Sequence, residues 1–341
     1  MPPSKPTRSE KLAEAPFDDV RADLILETSD EVHFRIFRDI LSLASPVFNN
    51  MFIMPSPPSQ RPDEVQVVRL SEHSTVLDVA LRHIYPVRPP EVADTLLCGS
   101  ILAEFTRKYK VETLDNFIIG YLTDSIESDP VGVYAIAVTH EYNGIAANAV
   151  RSCLNLPFSG LESPYLRCTT MERILELLKY HVACGEAASA VASSNLKWLS
   201  SLDKDGIFAS QLRNSSQGCQ SCSTRELIAQ SERTRRSGPQ CLWDYLYRSA
   251  LVLAHHPIAE QITSEDFVLK TNKCYSCASS IRYDMLEVSM ALEGEIENAV
   301  KRVSLCLRCS GMSALRIHIW QVPLPKAISM EPSTSSNAET N

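Results

Sequence analysis

The sequence predicts an α+β protein: a short β-sheet flanked by helices, followed by mainly α-helical regions. Three observations carry this. Residues 32–37 alternate, with Val32, Phe34 and Ile36 on one side and His33 and Arg35 on the other, the period of a half-buried strand. From Ile40 to Phe52 apolar residues recur at spacings of three and four, the period of a helix. Helical spacing then dominates the chain after residue 129. The 341 residues, 44% hydrophobic and 22% charged, fit folded protein and not a disordered or collagen-like chain. At ~100–200 residues per domain, the length suggests two or three domains.

The elements follow in order. Residues 1–16 and 326–341 are expected to be a disordered arm and tail, because neither holds enough apolar side chain to offset the entropy of ordering it. Residues 23–28 and 32–37 read as strands. Ser29-Asp30-Glu31 between them supplies turn chemistry, so a hairpin is expected. Across 38–52 the reading is a short helix to Leu43, a break, and a second helix with Ser45 as its cap and Pro46 as its first residue. Residues 54–64 read as loop, 65–70 (VQVVRL) as a third strand, and 71–86 as a helix capped by Ser71 and stopped by Pro86. Two more helices are expected at 95–109 and 112–125.

Residues 131–153 read as one helix, with Val133, Ile136, Ala137, His140, Tyr142 and Ile145 at roughly helical spacing. Met171, Ile174, Leu175, Leu178 and Val182 follow i, i+3, i+4, i+7, i+11, an amphipathic helix with that stripe toward the core. Residues 203–240 read as a polar linker. Helices at 241–255 and 284–303 follow, the latter with Met285, Val288, Leu292, Ile296, Ala299, Val300 and Val303 on its core side. No repeat of fixed period occurs. The expected organisation is an arm (1–16), a first domain (17–125), a helical region (129–202), a linker (203–240), a C-terminal helical region (241–325) and a tail (326–341).

Composition narrows the function. Lys and Arg total 33 against 41 Asp and Glu, a net charge of −8, whereas nucleic acids and anionic membranes select a basic footprint. Only 11 residues are glycine, which argues against Gly-rich phosphate loops. No apolar run approaches the ~18 residues of a membrane helix, and Met1–Pro16 has no apolar core of a secretory signal. The expected location is cytoplasm or nucleus. Enzyme motifs fail one by one. There is no Walker loop, no dinucleotide fingerprint and no nucleophile elbow. His140-Glu141-Tyr142-Asn143-Gly144 lacks the second histidine of a zinc-protease helix. Around Asp203-Lys204-Asp205-Gly206 the calcium-loop register puts Leu212 where a bidentate glutamate is required. The basic cluster Arg233, Arg235, Arg236 is short and reads as solvated linker.

The 11 cysteines are the one chemical signal. Three C-x-x-C pairs occur, Cys219/Cys222, Cys274/Cys277 and Cys306/Cys309, and two such knuckles make a tetrahedral four-thiolate zinc site. A helix over 284–303 is roughly 30 Å long and separates Cys277 from Cys306. The favoured structural zinc set is therefore Cys219, Cys222, Cys274 and Cys277, with Cys306 and Cys309 as the alternative second pair. His181-x-x-Cys184 is a further replacement for one knuckle, and free thiols are the competing reading. Cys98, Cys153, Cys168 and Cys241 are expected in the core. His255-His256 are expected at a helix C-terminus.

Several blocks together carry a resemblance. Asp23-Leu-Ile-Leu, Phe34, Ile40-Leu41, Ser45-Pro46-Val47-Phe48 and Met51-Phe52 are followed in order by Val67…Leu70, Leu81…Ile84-Tyr85-Pro86 and Ala103…Lys108-Tyr109. Over residues 17–125 this resembles the BTB/POZ domain. The helical segments 129–158 and 165–188, the Trp-Asp-Tyr-Leu helix at 243–246 and the Cys pair after Pro257 are similar to the BTB proteins of large fungal families. One position departs: where the family usually carries histidine in F-x-V-H-K-x-x-L, Phe37 stands here, followed by Arg38. The resemblance implies a non-enzymatic protein that self-associates or recruits other proteins. Its partners would be a second copy (a homodimer) or a cullin-type scaffold. Adaptor of a cullin ubiquitin ligase and zinc-dependent transcriptional regulator are the alternative roles. The expected surface comprises Arg21 to Leu26 and the second helix, above all Met51, Phe52, Ile53 and Met54, which run into the Pro-rich loop. The competing reading is that these four cap the monomer's core.

Overall fold

The computed structural model describes residues 11–53, 65–202, 224–228, 235–270 and 278–303. The protein is mixed α+β, mostly helical, with a small four-stranded sheet. It forms two compact units, Met1–His181 and Val182–Asn341. The sheet lies in the first.

That sheet has the order β1 (Lys11–Leu12), β3 (Val32–Ile36), β2 (Leu24–Glu27), β4 (Gln66–Arg69). The expected hairpin is present: β2 and β3 pair antiparallel with Leu26 opposite Phe34. Thr28 closes the turn through its amide to the Val32 carbonyl at 3.0 Å, and Glu31 takes a left-handed φ of 62°. Phe34 and Ile36 are buried, as the alternation requires, while Val32 of the same side is half-buried; Leu24 and Leu26 of β2 are buried too. β4 runs parallel to β2, so the chain must cross over between them. Helices α1 (Arg38–Ala44) and α2 (Pro46–Ile53) make that crossing. Residues 11–16 belong to the arm expected to be disordered, yet Lys11 and Leu12 pair in parallel with Val32 and His33. Ala13 continues the ladder to the His33 carbonyl, and the Phe17 carbonyl accepts from Arg35. The buried ring of Phe17 packs on Phe34 and Tyr85 and anchors this segment.

The helices of this unit continue with α3 (Ser74–Ile84), α4 (Thr95–Tyr109), a 3-10 turn (Glu112–Leu114), α5 (Asp115–Asp124), α6 (Pro130–Thr139) and α7 (Asn143–Cys153). The cap of α3 is His73, not Ser71: its ring accepts from the Thr75 amide. The single helix expected over 131–153 is two. Glu141 has φ 65° and the Tyr142 amide reaches back to the Ala137 carbonyl at 2.9 Å. This is a Schellman stop with glutamate in the left-handed position. α6 is buried on every side from Pro130 to Val138.

α8 (Met171–Ser193) carries a second correction. The stripe expected to face inward lies at the edge of the buried side: Met171 is 68% exposed, Leu175 and Val182 are exposed as well, and Ile174 and Leu178 are half-buried. The buried line is Leu177, Tyr180, Cys184, Ala188 and Val191, spaced i, i+3, i+7, i+11, i+14. Apolar residues occupy both sides of this helix, so spacing alone did not select the inward one.

In the second unit, a core of Ala188, Val191, Ala192 and Trp198 joins helices α10 (Gln240–Leu253), α11 (Glu260–Thr263), α12 (Glu265–Leu269) and α13 (Ala278–Arg302), numbered after the short α9 (Trp198–Ser201). Met285, Val288, Leu292 and Ile296 of α13 are buried as expected, around a fully buried Tyr245. The Tyr245 hydroxyl donates to the Ile262 carbonyl at 3.2 Å. Within the expected linker, β5 (Thr224–Ile228) and β6 (Arg235–Pro239) form an antiparallel pair, because ladder pairing satisfies backbone groups whatever the side-chain polarity.

Candidate interaction surface

The surface expected at α2 is built on Arg38. Its amide donates to Asp23 Oδ1 at 2.9 Å and its Nε lies 3.7 Å from Asp23 Oδ2. Nη2 donates to Gln66 Oε1 at 2.8 Å, and Nη1 to the Phe52 carbonyl at 3.4 Å. One cation thus joins the start of β2, the start of β4 and the last turn of α2, where a positive charge also suits the helix dipole. Beside it, the Phe37 amide donates to the Tyr85 hydroxyl at 2.8 Å. The chain therefore ties this position to the rest of the domain through Arg38 and Tyr85.

At the other end of α2, Ser45 does what its place before Pro46 predicts. Its Oγ accepts from the Phe48 amide at 3.1 Å and donates to the Tyr109 carbonyl. Phe48 stacks on Tyr109 with ring centroids 4.5 Å apart. The Tyr109 hydroxyl donates to Glu72 Oε2 at 2.5 Å, and Lys108 bonds both Glu72 and Ser71. Burial opposes ionisation of Glu72, yet Lys108 and Tyr109 hold its carboxyl below the usual range. Burial, together with Glu72, pushes the Tyr109 hydroxyl well up. α2 is held at both ends by contacts within the chain.

On that support the predicted residues part ways. Ile53 is 72% exposed, Met51 is half-buried, and Phe52 is only 5% exposed. Phe52 stacks against Phe48 and belongs to the core side of α2. Met54 lies outside the described residues. Arg21 is exposed, but Leu24 and Leu26 are fully buried in the sheet. The most exposed apolar residue here is Leu43 of α1, at 90%. The apolar stripe read from 38–52 placed it with Leu41, which is fully buried. Residues two apart on a helix do not share a face, and that spacing was the available signal.

Cys219, Cys222, Cys274, Cys277, Cys306 and Cys309 all lie outside the described residues. Among the described residues, no group of three or more His, Cys, Asp or Glu is placed to hold a metal ion. Cys98, Cys153 and Cys241 are buried, as expected, whereas Cys168 is exposed, in the turn after Pro164 and not in the core. Cys184 is buried on α8. His181, one turn before it, is also buried and bonds through Nε2 to the Leu156 carbonyl at 3.0 Å. His255 and His256 follow the last residue of α10, as expected. Among the described residues, no helix is long and apolar enough to cross a membrane. No known family model matches the chain, and no curated protein matches it.

Proposed function

We propose that residues 17–125 form a BTB/POZ-like interaction module and that the chain works by binding other proteins, itself among them, without turnover. The observation that carries this reading is the pair of apolar side chains Leu43 and Ile53, left 90% and 72% exposed on helices that Arg38, Ser45 and Tyr109 hold in place. The ordered blocks from Asp23 to Tyr109 support it. So does the succession of hairpin, helix pair, third strand and helices in which those blocks lie. The driving force is removal of apolar surface from water, about 25 cal/mol per Å², and a pre-held surface loses little entropy on docking.

Light scattering on the full chain at tens of micromolar tests the reading. The expected mass is twice the 38.0 kDa of one chain. The double variant Leu43→Glu/Ile53→Glu is expected to run as a monomer with unchanged circular dichroism, since neither side chain is part of the core. A monomeric wild-type chain at that concentration overturns self-association.

A further inference from the structure

The helical glycines are of two kinds. A Cβ at Gly99 would meet the Leu122 side chain at 3.3 Å, one at Gly132 would lie 2.4 Å from Asp129 Oδ2, and one at Gly185 would lie 2.5 Å from the Ala254 carbonyl oxygen. Each of these glycines lets another group come close. Gly294 does not: a Cβ there would meet nothing within 4 Å. It sits well inside the 25-residue α13, where glycine weakens a helix, and no contact among the described residues accounts for it. Gly144 is open too, but it lies in the first turn of α7. Gly120 of α5 is open with a single exposed carboxylate, Asp124, within one turn.

The surroundings of Gly294 are more specific. Met290, one turn earlier on the same side, is 70% exposed. Around Met290, Glu287 on one side is exposed, and on the other Glu297 is exposed and Glu293 half-buried. From Met285 to Val300 there is no Lys or Arg. In the last turn Lys301 pairs with Glu297 at 2.9 Å. The field is felt next door: burial, with Glu287 beside it, pushes the Asp284 carboxyl above its ordinary value.

We propose that this face of α13 docks a basic amphipathic helix of a partner protein. Its apolar side chains cover Met290, its backbone crosses at Gly294, and its Lys or Arg side chains meet Glu287, Glu293 and Glu297. A glycine at the crossing permits a closer approach than the usual 8–10 Å between helix axes. A methionine adapts to varied apolar side chains, and the carboxylate rim selects charge and steers the encounter. The surface belongs to the second unit alone and does not depend on self-association through α1 and α2.

The test uses the full chain and a fluorescent synthetic peptide of ~18 residues, five helical turns, with leucines at i, i+3 and i+4 spacing and lysines elsewhere. Binding is followed by anisotropy. The comparison peptides carry glutamate in place of lysine, or lysine throughout. Gly294→Gln and Met290→Ser are each expected to weaken the leucine–lysine peptide at least about tenfold. Gly294→Gln also melts a few degrees higher than wild type, because glutamine is the better helix former, so its loss of binding is not unfolding. Failure of the peptide to bind wild type, wild-type affinity in either variant, or equal binding of the all-lysine or glutamate peptide overturns the proposal.

Discussion

Burial holds the protons of Cys98 and Cys153 in place: apolar surroundings push the Cys153 thiol up to about 12 and the Cys98 thiol up to about 11. Cys168 is exposed. Because the thiolate is the reactive form, a maleimide added to native protein is expected to label Cys168 at once and to reach Cys98 and Cys153 only on unfolding. Peptide mapping by mass spectrometry checks this, and native labelling of Cys153 would contradict the packing of α7. Among the pH-sensitive residues of the first unit is His140. It caps α6 with its Nδ1 buried and, among the described residues, without a hydrogen-bond partner. Burial, reinforced by Arg107 and opposed by Glu104, lowers its pKa. Folded His140 therefore takes its proton at lower pH than unfolded His140. Between the ordinary value of ~6.5 and that lowered value the unfolded chain binds more protons, so stability falls as pH falls through the window. Urea midpoints measured from pH 7.5 to 5 are expected to decline more steeply for wild type than for His140→Gln; equal slopes would remove His140 as the cause.

At the scale of elements, glycines of opposite character give opposite outcomes. Gly185→Ala places a methyl against the Ala254 carbonyl oxygen, at 2.5 Å. The crowding is expected to cost about 1–3 kcal/mol, more than the better helix propensity returns. Gly294→Ala meets nothing and is expected to stabilise by about 0.5–1 kcal/mol. Chemical denaturation of the two variants measures both, and a stabilising Gly185→Ala would contradict the close approach at Ala254. The elements also show where periodicity stops being decisive. The hairpin, the Ser45-Pro46 helix start and the 95–109 helix follow from local signals that need no tertiary help: an alternating strand, a cap with proline, a continuous apolar period. The split of 131–153 was hidden because its left-handed stop is Glu141 and not glycine. A Schellman stop written in a residue that rarely takes positive φ leaves no mark in composition. On α8 the period was right but the inward side was rotated, with Ile174 and Leu178 half-buried and Met171, Leu175 and Val182 exposed, since apolar side chains lie on more than one side of the helix.

For the whole molecule, the reading of Cys219, Cys222, Cys274 and Cys277 as four thiolate ligands predicts one zinc per chain. Elemental analysis of protein purified without chelator is expected to find it, and Cys219→Ser/Cys222→Ser is expected to lose it; zinc well below one per chain sinks that reading. The sequence by itself determined the α+β class, the hairpin with its inward Phe34 and Ile36, and the burial of Met285, Val288, Leu292 and Ile296 on α13. Each of these is a matter of period and of apolar side chains leaving water, which neighbouring residues already encode. Only the tertiary structure decided that Phe52 turns inward while Ile53 and Leu43 stay out. It also decided that Arg38 reaches Asp23, Gln66 and Phe52 at once, and that a Cβ at Gly294 would meet none of the described residues within 4 Å. Those outcomes depend on which surfaces from distant parts of the chain arrive to cover a residue, and that is fixed by packing in three dimensions.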